Sequence, residues 1–120
     1  MSFLRICLLA ALSAIFVCNA GAETLPKPDG KPILIVSGKI TNTNADGEAQ
    51  FDRNALEALG LTTVVTSNPW YSGKVRFEGV LMSKLLKYVG AEGRTVTAVA
   101  LNDYVSTIPV EDFNKYDVIL

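Results

Sequence analysis

The chain has 120 residues, 49% of them hydrophobic, with 11 basic and 12 acidic side chains and no histidine. That near-neutral balance offers no concentrated basic footprint for nucleic acid. The missing imidazole removes the usual histidine-bearing zinc sites, the Ser-His-Asp triad and the Cys-His dyad. Any metal must be held by Asp, Glu, Ser or a ligand that a cofactor carries.

Residues 1–22 read as an export signal. Arg5 supplies a positive start, Ile6 to Val17 an apolar run, and Ala20-Gly21-Ala22 the small residues of a cleavage site. The run is shorter than the ~20 residues a bilayer span needs, and Cys18 follows Ile15-Phe16-Val17, not a small-residue lipobox. Cleavage after Ala22 is expected, through the general secretory route into the periplasm, with no transmembrane segment left behind. Both cysteines, Cys7 and Cys18, leave with the signal, so the mature part forms no disulfide. It keeps ten basic and twelve acidic residues. Lys74, Arg76, Lys84 and Lys87 are its nearest approach to a basic patch, read as a solvated face. The length suits one small domain.

Residues 23–32 form a Pro-rich extended lead-in. Ile33-Leu34-Ile35-Val36 opens an apolar, β-branched run to about Ile40, a buried strand candidate. Thr41 to Gly47 is a polar, turn-rich loop. It has calcium-type side chains but lacks the ordered carboxylates and closing Glu of a calcium loop, so it is read as a solvated turn. Asp52 is placed to cap a short helix through about Leu59, with Phe51 and Leu56 as a hydrophobic staple and Gly60 as the terminator. Thr62 to Thr66 is dense in β-branched residues and predicts a strand, which Asn68-Pro69 breaks. Val75-Arg76-Phe77 is a brief extended piece. From Val80 to Val89, Leu81, Leu85 and Val89 recur at four-residue steps with Met82 and Leu86 alongside, which predicts a helix ended by Gly90. Thr95 to Leu101 alternates as a half-buried strand should. Tyr104 to Ile108 is its expected partner across an Asn-Asp turn. Pro109 opens a helical turn near Glu111-Asp112-Phe113. The ending, Asp117 to Leu120, reads as the start of a strand and is taken to be incomplete. The fold class expected is α+β.

Several of these pieces also form a familiar string. In order they are Thr66-Ser67-Asn68-Pro69-Trp70, Phe77-Glu78-Gly79-Val80-Leu81, Leu85-Leu86, Ala100-Leu101-Asn102-Asp103-Tyr104 and Ile108-Pro109. The string resembles the oxidoreductase molybdopterin-binding domain of the sulfite-oxidase type, in its small exported form. The resemblance runs from about Ile33 to Leu120 and is strongest from Pro69 to Pro109. It implies a sulfite-oxidase-type fold over residues 33–120, with a mixed β-sheet and two or three short helices. It also implies a buried pterin whose dithiolene sulfurs, with one protein cysteine, hold molybdenum.

Counted back from Gly79 and Leu85-Leu86, that cysteine falls on Ser67, or on Thr66 with a slip of one. A thiolate suits a soft, high-valent metal; a serine hydroxyl must first be deprotonated by it. Ser67 is therefore read as a loop residue in preference to a ligand. The signal agrees. Enzymes of this family take up their cofactor in the cytoplasm and leave folded by a route that reads paired arginines, whereas Arg5 stands alone. Both features imply a protein without molybdenum or molybdopterin. Trp70, Tyr71 and Tyr104, with Asn68, Asn102 and Asp103, are the candidate lining of any remaining cleft, since aromatic walls with a few polar tips suit a small ligand. Each also has a plain structural use, as a packing aromatic or a turn residue.

No convincing acid–base pair appears: Glu111 and Asp112 are adjacent, and Glu78 lies on a connection. Gly90-Ala91-Glu92-Gly93 lacks the lysine of a phosphate loop. Three readings follow. The first is an exported, cofactor-free ligand-binding or sensory module. The second is an active molybdopterin oxidoreductase using Ser67, and the third an interaction subunit beside a membrane redox or signalling protein. Its partners would be a small molecule or a periplasmic protein.

Overall fold

The computed structural model describes residues 21–120, so the expected signal, apart from its last two residues, lies outside the described residues. Six strands and three helices make a small α+β arrangement. The expected mixed sheet is not seen among the described residues. The strands form three separate two-stranded antiparallel ribbons, each joining neighbours in sequence, because every hairpin closes locally and no long crossover brings the ribbons edge to edge.

Strand β1 (Leu34–Ser37) pairs with β2 (Glu48–Phe51), Leu34 opposite Phe51 and Ser37 opposite Glu48. β1 is shorter than expected and only half-buried, with Ile35 56% exposed; one face meets the core and the other meets solvent. β2 escaped the sequence reading altogether. Its signal was a four-residue alternation in which Ala49 and Phe51 are buried while Glu48 and Gln50 are not.

Helix α1 (Arg53–Glu57) starts as expected at Asp52, whose carboxylate accepts the Ala55 amide at 2.8 Å. Its second oxygen accepts the Gly30 amide at 2.7 Å, which ties the lead-in to the helix. The amides of Leu59 and Gly60 close the end on Leu56 and Glu57. Strand β3 (Thr62–Ser67) pairs with β4 (Lys74–Gly79), Thr62 opposite Gly79 and Ser67 opposite Lys74. Helix α2 (Met82–Tyr88) carries the predicted stripe, with Leu85 and Val89 fully buried. Strands β5 (Thr95–Val99) and β6 (Val105–Pro109) pair as expected, and helix α3 (Asp112–Lys115) follows with Phe113 buried.

The core gathers Leu25, Ala49, Phe51, Leu85 and Val89, with Leu34, Val36, Leu56 and Met82 packed against it. Burying one large apolar side chain contributes about 1.5–3 kcal/mol. Leu25 shows that the lead-in is part of this core, held by its amide on the Thr43 carbonyl at 2.9 Å. Asn44 sits beneath it, buried. Its amide nitrogen donates to the carbonyls of Pro26 and Gln50, and its oxygen accepts the Gln50 amide, all at 2.8 Å. The loop read as a solvated turn is thus a buried junction there. It also receives the end of α2, since the amides of Thr41 and Asn42 donate to the Val89 carbonyl at 3.1 and 3.0 Å. Gly90 stands at φ +62°, where a Cβ would strike the Thr41 hydroxyl; only glycine fits this turn.

The last residues run beside the start of α2. Val80 and Leu120 exchange both backbone hydrogen bonds, at 3.1 and 2.9 Å, and Met82 donates to the Val118 carbonyl at 2.9 Å. Leu120 approaches so closely that a Cβ on Gly79 would collide with its carbonyl.

Candidate functional site

The residues picked out from the sequence fall on two hairpin tips. Ser67 is the last residue of β3, exposed, and faces Lys74 across the ladder. The loop from Asn68 to Gly73 then turns the chain. Asn68 organises it, its side-chain oxygen accepting the amides of Trp70 at 3.0 Å and Tyr71 at 3.1 Å, as asparagine does in such turns. Pro69 removes one donor and fixes one φ. The outcome is a braced loop that presents its aromatics outward: Trp70 is 83% exposed and Tyr71 64%.

The second tip joins β5 to β6. Ala100 and Tyr104 close it, with the Ala100 amide on the Tyr104 carbonyl at 2.9 Å and the Asp103 amide on the Ala100 carbonyl at 3.0 Å. Asp103 takes φ +62°. This is the three-residue hairpin loop whose last residue is left-handed, a conformation that Asp tolerates better than most residues. The Asn102 side-chain oxygen accepts the Tyr104 amide at 3.3 Å. Tyr104 is exposed, and Leu101 at the apex fully so. Both asparagines therefore spend their oxygens on their own loops. Within each tip the predicted residues are brought together; the two tips belong to separate ribbons.

A hollow among the described residues lies elsewhere. It is a groove of about 450 Å³ between α1 and the strand end at Gly79-Val80, floored by Ile33, Leu56, Leu61 and Val80 and rimmed by Arg53, Glu57 and Glu78. None of the residues predicted for a site lines it. No motif in the chain announces it, because these apolar side chains read as ordinary core. Its rim charges are occupied: Arg53 pairs with Glu57 at 3.4 Å, and Glu78 with Arg76 at 3.2 Å.

Asp52 is the carboxylate whose environment is distinctive. The Ala55 amide, then the Gly30 amide, hold its pKa below the ordinary value, against a smaller opposing effect of burial. Its role is structural, since both oxygens are taken by backbone amides. Among the described residues no group of three or more His, Cys, Asp or Glu gathers as a metal-ligand set, and no helix is long and apolar enough to cross a membrane.

The surroundings of Ser67 do not fit the pterin–molybdenum group that the resemblance implies. The residue offers a hydroxyl on an exposed hairpin shoulder, opposite an exposed lysine. The side-chain oxygen of the adjacent Asn68 is engaged by the loop itself. Comparison with known proteins adds no identity: no protein-family model matches the chain, and no curated protein matches it.

Proposed function

We propose that this chain is an exported binding module, built on a sulfite-oxidase-type framework and working without molybdenum, whose contact element is the Asn68–Gly73 tip. The observation that carries the reading is the exposure of Trp70 on a loop braced by Asn68. Tryptophan is highly buried on average. One held out on a pre-shaped loop offers a large amphipathic contact with little ordering left to do on binding. Loops positioned by a scaffold are where recognition residues concentrate. The hydroxyl of Ser67, in the place where the resemblance calls for a thiolate, supports a role in recognition over one in redox chemistry.

Trp70 is the single tryptophan of the chain, so its fluorescence reports on this tip alone. The exported protein, purified with its own leader processed, is first assayed for molybdenum and for released pterin. The expected result is a folded protein with both far below one per chain. One molybdenum and one pterin per chain would overturn the reading and favour an oxidoreductase. Titration with pools of small periplasmic metabolites, then with periplasmic protein fractions, is next expected to shift the Trp70 emission to the blue. Trp70→Phe should abolish that binding while leaving the thermal midpoint unchanged, because the side chain packs on little.

A further inference from the structure

The two outlying ribbons differ in how their outer faces are guarded. On β3–β4 the outward side chains are Thr63, Val65, Ser67, Lys74, Arg76 and Glu78, all exposed. Arg76 reaches both Glu78 and the Thr63 hydroxyl at 3.2 Å. On β5–β6 the outward set is Thr95, Thr97, Val99, Val105, Thr107 and Pro109, equally exposed and without a charge. Proteins usually blunt a free edge with charges, especially lysine, or with proline. Pro109 does this for the end of β6. Nothing does it for β5.

The hydrogen-bond phase of the ribbon shows which groups β5 leaves open. Val110 donates to the Arg94 carbonyl at one end of β5, and Ala100 donates to the Tyr104 carbonyl at the other. Antiparallel alternation then turns the N–H and C=O of Val96 and Ala98 toward β6, and those of Thr95, Thr97 and Val99 toward the free edge. These six groups have no partner outside the ribbon among the described residues.

We propose that this edge is a self-association site, at which two copies of the chain pair antiparallel along β5 about a two-fold axis at Thr97. A two-fold interface must be complementary to itself, and β5 meets that condition in charge as well as in phase. Thr97 lies opposite its own copy, and Thr95 lies opposite Val99 of the second copy. All three pairs can exchange backbone hydrogen bonds, and no charge meets its like. Thr–Thr and β-branched cross-strand pairs are favourable ones. A five-residue edge is small beside the ~1,200 Å² of a stable complex, so the dimer is a weak one, with a dissociation constant in roughly the micromolar to millimolar range. The inference does not rest on the binding role of the Trp70 tip, which is on another ribbon.

The test is sedimentation of the processed, exported protein from low micromolar to about millimolar concentration, a range set by that weak affinity, with amide exchange followed on the same samples. A concentration-dependent dimer is expected, together with slowed exchange at Thr95, Thr97 and Val99. Thr97→Lys puts two ammonium groups face to face and should weaken dimerisation by about tenfold or more. Val65→Lys, on the guarded ribbon, should leave it unchanged. Because Thr97 is exposed, the variant is expected to fold, which its circular dichroism checks. If it does not fold, exchange at the three amides of the unaltered chain decides the matter alone. A chain that stays monomeric throughout, a dimer indifferent to Thr97→Lys, or protection that ignores concentration would each overturn the proposal.

Discussion

The β1–β2 ribbon and the β5–β6 ribbon are both antiparallel pairs of strands adjacent in sequence, yet they live in different surroundings. β1–β2 lies against α1 and α2, and its Ala49 and Phe51 reach the middle of the core. β5–β6 turns one face to solvent entirely and the other only halfway inward, at Val96, Ser106 and Ile108. A two-stranded ribbon standing alone is marginal in water. What stabilises the first pair is thus the apolar mass behind it, which the second lacks. Local sequence sets the ribbon, whereas neighbours set its stability.

The contrast can be tested by removing that mass. Leu85→Ala empties the centre of the core and should cost about 2–5 kcal/mol, read as a lowered denaturant midpoint; a loss under 1 kcal/mol would mean that the core is not the anchor. Asn44→Ala strips three hydrogen bonds from the junction beneath β2 and strands the groups they served. A cost of about 2–3 kcal/mol is expected, and Asn44→Asp should not rescue it, since two carbonyls would then face an acceptor.

A pH scan sharpens the same side of the comparison. The pKa of Asp52 is lowered in the folded state by the Ala55 and Gly30 amides. Its contribution is therefore complete above the ordinary carboxylate range and is lost as pH falls through the lowered value. Stability followed from about pH 6 down to pH 2 should fall less steeply for Asp52→Asn than for the parent. An unchanged acid limb would remove Asp52 as a tie between lead-in and helix. The smallest effects belong to the outlying ribbons. Val65→Ala and Val99→Ala should each change global stability by no more than about 0.5 kcal/mol. Amides of β5 and β6 should exchange well before those of β2 and α2 at dilution. Equal protection across all four elements would erase the distinction.

The helices were legible because their signals are local. A stripe at four-residue steps marked α2, and a capping aspartate marked the start of α1. The β5–β6 hairpin was legible for the same reason, two alternating runs around an Asn-Asp turn. β2 was hidden because Glu48 and Gln50, facing outward, made a four-residue strand look like the tail of a polar loop. Asn44 was hidden because asparagine in a turn and asparagine in a buried junction are the same letter. The difference lies in Pro26 and Gln50, which the fold delivers and local spacing does not. The separation of the ribbons was out of reach as well, since alternation shows that a strand has a buried side without saying what covers it. As for the candidate site, Trp70, Tyr71 and Tyr104 were read as the lining of a cleft, and the structure puts them, exposed, on two tips of separate ribbons.

The first turn of α2 begins at Leu81 with no side-chain cap, and its leading amide is answered by the carbonyl of Val118. During synthesis, then, this helix waits for residues that are made long after its own. Its buried face, Leu85 and Val89, belongs to the core that also holds Leu25, so early and late segments must meet before either is secure. A chain emerging from its amino end therefore holds this core open until the segment around Val118 has followed α2. Stopping the chain at Asp117 should leave the α2 amides unprotected in hydrogen exchange; full protection there would show that the helix closes by itself.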